Sequence, residues 1–147
     1  MASEQNQFKN ILLFHFGQLG DVVLALPVIR AVKEHFAPAR LTIMSGLSTR
    51  GVIEISGLAE EQIAVDRVRL RDGSKIAAII EMYGIVRDLR RRQFDLVIDL
   101  HSLYETNIMG RLSGAPMRYF AHRERRSIRR FSNWPISAPA EDRSAHH

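Results

Sequence analysis

The chain has no cysteine among its 147 residues, only three lysines and a single tryptophan. The missing thiols exclude a disulfide framework, a thiolate metal site and a cysteine nucleophile together. No apolar run approaches the roughly 20 residues that a bilayer-spanning helix takes. Mean hydropathy is −0.13, so no membrane-spanning helix is expected. The opening MASEQNQFKN is polar and leads straight into a strand, unlike a signal peptide with its apolar centre. At the first strand-to-helix turn there is no Gly-Lys-Ser/Thr, which excludes a P-loop there, and no G-x-G-x-x-G. No acid stands between Leu41 and Ile53, where a dinucleotide enzyme would place its ribose-binding carboxylate. The six histidines are scattered and no His/Asp/Glu group has ligand spacing, so neither a metal nor a cofactor is expected.

What is present alternates. Ile11-Leu12-Leu13-Phe14-His15-Phe16 reads as a buried strand bounded by Gly17. Val22 to Phe36 has apolar residues at helical spacing, with Asp21 placed to cap it and Pro27 expected to kink it. Leu41 to Met44 is a second strand, Ser48 to Ser56 a short helix closed by Gly57, and Ile63 to Val65 a weak third strand. Asp72-Gly73 marks a turn. Ser74 is placed to cap a helix that carries Ile76, Ile79, Ile80, Tyr83, Val86 and Leu89 on one face, read as its core side. That helix ends at Arg90-Arg91-Arg92, where cations meet the negative end of the dipole. Leu96 to Leu100 is the clearest strand; a helix over Tyr104 to Leu112 and a strand over Met117 to Phe120 follow. Met44, Met82, Met109 and the aromatics read as core. Strands and helices in this order predict an α/β domain with a doubly wound, parallel, Rossmann-like sheet over residues 1–134, with a tail over 135–147.

The charge is uneven. Net charge is +5, and 18 of the 21 bases are arginine. The stretch from Arg118 to Arg130 holds six bases and one acid, which leaves 15 against 15 elsewhere. The +5 is therefore one cationic lip on an otherwise neutral domain. Three readings of it stand: a solvated loop, a grip on an anionic ligand through forked arginine pairs, and attraction to an anionic membrane surface. Nucleic acid is not expected as a partner, because no recognition motif accompanies the charge.

In an open parallel sheet the ligand crevice lies beyond the carboxyl ends of the strands. The loop after the first strand, Gly17-Gln18-Leu19-Gly20-Asp21, puts a carboxylate at that mouth. Asp21 is either a helix cap or a general base close to an acceptor hydroxyl. His101 and Asp99, at and inside the end of a strand, read equally as structural hydrogen-bonding residues, and Glu105 as a solvated acid in the first turn of a helix.

The segment Ile11–Arg30, ILLFHFGQLGDVVLALPVIR, resembles the opening of the lipopolysaccharide heptosyltransferases, glycosyltransferase family 9, with their small-x-x-Gly-Asp turn and following Leu-Pro. Phe94–Phe120 resembles a second family stretch: Asp-Leu-Val-Ile-Asp-Leu, a polar loop, a helix, Gly-Ala-Pro and Arg-Tyr-Phe. Where the family carries Gln-Gly and Lys-Ser, this chain has His101-Ser102 and Glu105-Thr106. The resemblance implies the N-terminal half of a GT-B fold, whose C-terminal donor domain would lie outside this chain. By the same resemblance the enzyme would be inverting and metal-independent, with Asp21 as base. It would transfer a heptose or related sugar from a nucleotide-sugar donor of the ADP-heptose type to an anionic lipopolysaccharide core acceptor. Gln18, Leu19, Gly20, His101 and Ser102 would frame the acceptor, and Arg123, Arg125 and Arg126 would hold its anionic groups. Such a protein is expected to be cytoplasmic, with peripheral contact at the inner membrane, and this chain alone to be inactive. A non-catalytic α/β module that binds anionic ligands is the alternative from another class.

Overall fold

A computed structural model describes residues 7–121 and 128–133. Five strands form one sheet: β1 (Asn10–His15), β2 (Arg40–Gly46), β3 (Glu61–Val65), β4 (Leu96–Asp99) and β5 (Met117–Phe120). Their order is β3-β2-β1-β4-β5 and every pairing is parallel. The predicted doubly wound, Rossmann-like sheet is thus the observed one. β1 lies at its centre, and the chain reverses direction of travel across the sheet between β1 and β4, which is where such sheets open a crevice.

Parallel strands are buried on both faces, so they read as continuous apolar runs while their side chains alternate. In β1, Ile11 and Leu13 join Val22, Ile29, Ile43 and Ile53 on one face. Leu12 and Phe14 join Met44, Leu89, Val97, Met109 and Phe120 on the other. The first face is covered by α1 (Leu19–His35) and α2 (Arg50–Ser56), which follows a 3-10 turn at Leu47–Thr49. The second is covered from α4 (Lys75–Arg91) and α5 (Tyr104–Leu112). Gly110 fits α5 to the sheet: a Cβ there would lie 2.8 Å from the Phe120 ring and 3.3 Å from Val97.

Four local expectations need correction. The first helix begins at Leu19, not Val22, so Asp21 is its third residue and Gln18 its N-cap. The stretch read as strand and turn contains a short helix, α3 (Arg67–Asp72), started by the Asp66 carboxylate accepting from Arg69 N at 3.0 Å. Ser74 does stand at the N-cap of α4, but its hydroxyl makes no capping bond. Most of the apolar stripe on α4 points outward: Ile76, Ile79, Ile80 and Tyr83 are exposed, and Leu89 alone of that stripe is fully buried. Tyr83 and Tyr104 are accordingly not core, whereas Met44 and Met109 are.

The outer edge of β5 is not bare. Its outward-pointing groups are taken by the returning segment: Arg118 N donates to Asn133 Oδ1 (2.7 Å), Asn133 N donates to Arg118 O (3.0 Å), and Phe120 N donates to Ser132 Oγ (3.3 Å).

Candidate active site

Past the carboxyl ends of the strands lies a cleft of about 960 Å³, at the upper end of the range for small-molecule sites. Phe16, Gly17 and Gln18 line it from the loop after β1, Gly46 to Ser48 from the loop after β2, and Val65 to Arg67 from the end of β3. Met82 of α4 and Glu105, Thr106 and Met109 of α5 close the other side. The floor is apolar, and Arg67 and Arg71 are its cations. Arg67 is held in place twice over: Nη1 donates to Phe16 O at 3.1 Å, and the guanidinium lies 5.5 Å from the centroid of the Phe16 ring. Arg71 is bound fork-to-fork by Asp72, through Nε to Oδ1 at 2.8 Å and Nη2 to Oδ2 at 3.2 Å.

Asp21 stands on the rim at the start of α1. Its Oδ2 accepts the Gln18 N–H at 3.0 Å, so it satisfies one of the orphan donors of the helix start. Among the described residues Oδ1 accepts nothing, and the side chain is exposed. A carboxylate in this first turn also lies in the favourable field of the helix dipole. Gly17 is what allows Asp21 to sit so close. A Cβ on Gly17 would come within 2.7 Å of Asp21 Cβ, 2.8 Å of His15 Cε1 and 3.0 Å of Asp21 Oδ2. Gly20 is different: a Cβ there would meet nothing within 4 Å. The space beside the helix start is open on that side.

Because β1 and β4 are neighbours, the loops that follow them meet. The rings of His15 and His101 lie 6.1 Å apart, tilted by 58°. The loop after β4 is shaped by Asp99, which is fully buried. Asp99 Oδ1 accepts from His101 N (3.0 Å) and Ser102 N (2.6 Å); Oδ2 accepts from Asn107 Nδ2 (2.8 Å) and from the Thr106 hydroxyl. Ser102 is thereby held at φ 49°, a left-handed conformation uncommon for a residue other than glycine. Burial pushes the Asp99 carboxyl above its ordinary value, and the donations from Thr106, Ser102, Asn107 and His101 offset this only in part.

The structure therefore brings Gln18, Leu19, Gly20, Asp21 and His101 to one end of the sheet. Of these, only Gln18 lines the cleft itself. Ser102, expected beside the acceptor, is fully buried, with its Oγ accepting from Asn107 Nδ2 at 3.4 Å. Arg123, Arg125 and Arg126 lie outside the described residues. Arg118, counted with the cationic lip, is spent internally: it donates to the carbonyls of Phe131 and Ala115, both at 2.8 Å. Burial, with Arg111 nearby, lowers its pKa from the ordinary arginine value. Sequence reasoning missed His15, Arg67 and Arg71. The signal for His15 was available in the β1–β4 adjacency of a doubly wound sheet; that for the arginines was hidden with the helix that carries them.

Solved structures of glycosyltransferases share this architecture. A glycosyl transferase of family 9 from Veillonella parvula matches with a TM-score of 0.62 at 22% identity, over 75% of this chain and 31% of its own. ADP-heptose lipopolysaccharide heptosyltransferase II of E. coli matches at 0.61 and 17%, over 76% of this chain and 30% of its own. E. coli heptosyltransferase WaaC, solved with ADP-2-deoxy-2-fluoro heptose, matches at 0.62 and 19%, over 76% and 36%. The fold is that of these glycosyltransferases. At such identities the likeness is one of fold, and the chain spans about a third of the length of the solved structures it matches. No protein-family model matches the chain, and no curated protein matches it in sequence.

Proposed function

We propose that this chain is the acceptor-binding part of an inverting, metal-independent glycosyltransferase of the heptosyltransferase type. It would work on a lipopolysaccharide core acceptor at the cytoplasmic side of the inner membrane. The observation that carries the reading is Asp21: an exposed carboxylate, held beside Gly17 and Gln18 of the cleft, in a fold like that of solved glycosyltransferases. In this reading an acceptor hydroxyl gives its proton to Asp21 as its oxygen attacks the anomeric carbon of the donor sugar. The bond from that carbon to the nucleoside diphosphate breaks on the opposite side, the leaving group takes the electron pair, and the configuration inverts. Gln18, Leu19 and Gly20 frame the acceptor, His101 stands beside them, and Arg67 and Arg71 meet its carboxylates or phosphates across the cleft. The nucleotide-sugar donor, of the ADP-heptose type, would be held by a second domain.

The test is turnover in a protein that includes a donor-binding domain. Asp21→Asn is expected to lower kcat by about 10²-fold or more while acceptor binding persists, since general-base catalysis supplies roughly that much. Turnover within a few-fold of the parent would leave Asp21 as a cap only. The arginine-lined cleft is equally compatible with a module that binds anionic ligands without catalysis. Acceptor binding with no turnover in any two-domain context would favour that second reading.

A further inference from the structure

The outward face of α4 has no partner within the described chain. Ile76, Ile79, Ile80 and Tyr83 are 72, 69, 66 and 69% exposed, and at i, i+3, i+4 and i+7 they form one continuous stripe. The same stripe continues, one and two turns on, into exposed Arg87 and Arg91. The acids of α4, Glu81 and Asp88, stand about a third of a turn round the helix, and Asp88 is occupied by Arg92 Nε at 2.8 Å. A face that runs from aliphatic and tyrosine side chains to arginines, with no acid in line, is complementary to the headgroup region of an anionic bilayer. There the apolar groups enter the acyl boundary, tyrosine sits at the interface and the guanidiniums meet lipid phosphates. A second copy of the chain fits less well, because four side chains fall short of the roughly 800 Å² per partner that a stable interface takes.

We propose that the Ile76–Arg91 face of α4 docks this chain on an anionic lipid surface. Membrane contact is thereby assigned to α4. The consequence is geometric. α4 carries this face and also lines the cleft through Met82, and the adjoining α3 lines it through Arg67 and Arg71, so a docked α4 brings its mouth beside the headgroups. The docking rests on this surface alone and not on the transferase reading, and its test involves no turnover.

The experiment is co-sedimentation of the chain with vesicles of phosphatidylcholine alone and of phosphatidylcholine mixed with phosphatidylglycerol. The expected result is binding about tenfold tighter to the anionic vesicles, weakened at about 1 M NaCl, where the screening length falls to roughly 3 Å. Arg87→Glu with Arg91→Glu should remove the anionic preference. Ile79→Ser with Ile80→Ser should lower partition about tenfold, with circular dichroism unchanged because both side chains are exposed. Should the serine variant not fold, Tyr83→Trp in a Trp134→Phe background supplies a second readout: brominated lipids should quench its fluorescence. Three results overturn the proposal. They are no binding to anionic vesicles, variants that bind as the parent does, and a dimer in light scattering that the serine substitutions dissolve in the absence of any vesicle binding.

Discussion

Asn107 ties two loops together through Asp99. Its Nδ2 donates to the buried Asp99 carboxylate at 2.8 Å, while its Oδ1 accepts the backbone N–H of Ile128 at 2.7 Å. The loop after β4 and the segment after β5 are thus held by one side chain, and Asp99 is the post on which that side chain turns.

The Asp99 carboxyl gives a pH signature. Its folded pKa lies above the unfolded value of about 3.9, so the folded state binds the proton more strongly. Stability from this group is then fully present below that value and is lost as pH rises through the raised folded pKa. Asp99→Asn should abolish this slope. It should also lower stability at acid pH by about 1–3 kcal/mol, because one of the two accepting oxygens is replaced by a donor. Urea unfolding of both proteins across a pH series checks this: the gap between them should narrow as pH rises.

The two glycines of the first loop should respond in opposite directions. Gly17→Ala drives a methyl group into Asp21 and His15 and should destabilise by about 1–3 kcal/mol. Gly20→Ala places its methyl group in open space inside the first turn of a helix and should be neutral or stabilising by about 0.5–1 kcal/mol. Chemical unfolding of the two variants separates them. A stable Gly20→Ala variant that binds acceptor poorly would mark that open space as ligand space.

Capping and catalysis at Asp21 should come apart. Asp21→Ala removes the acceptor for Gln18 N and should cost about 0.5–2 kcal/mol of stability. Asp21→Asn keeps an oxygen acceptor and should lose only about 0.3–1 kcal/mol, from charge no longer facing the dipole. Thermal unfolding compared with turnover distinguishes the two functions.

Arg67 is the cation to remove from the cleft. Arg67→Ala should weaken binding of a phosphorylated sugar about tenfold and reduce the salt dependence of that binding. Arg67→Lys should recover only part of the affinity, because an ammonium group lacks the guanidinium's fork and planar face. Isothermal titration at two salt concentrations checks both.

The strands were legible because a parallel sheet buries both faces and needs uninterrupted apolar runs: Ile11 to Phe16 and Leu96 to Leu100 allow little else. Three features were not legible, each for a different reason. The face of α4 has the periodicity of a core stripe, and periodicity says which residues share a side without saying whether anything covers it. The helix Arg67–Asp72 has six residues, four of them charged, too short and too polar for a periodic signal. The Asp99 network joins residues three to eight apart across a loop and a helix start, and only the backbone path shows that Ser102, Thr106 and Asn107 all converge on one carboxylate. Asp21 follows β1 as read, but its capping partner is the N–H of Gln18, because the helix begins before it and not after.

The segment that returns alongside β5 has a consequence for solubility. Parallel sheets with a bare edge recruit further strands, and the outward groups of Arg118 and Phe120 would offer such a template. Asn133 and Ser132 occupy those groups with side-chain as well as backbone bonds, so an incoming strand finds no continuous ladder to extend. Cutting the chain before Ser132 would therefore do more than shorten it by its last 16 residues: it would turn one side of the sheet into a seed for intermolecular β-pairing.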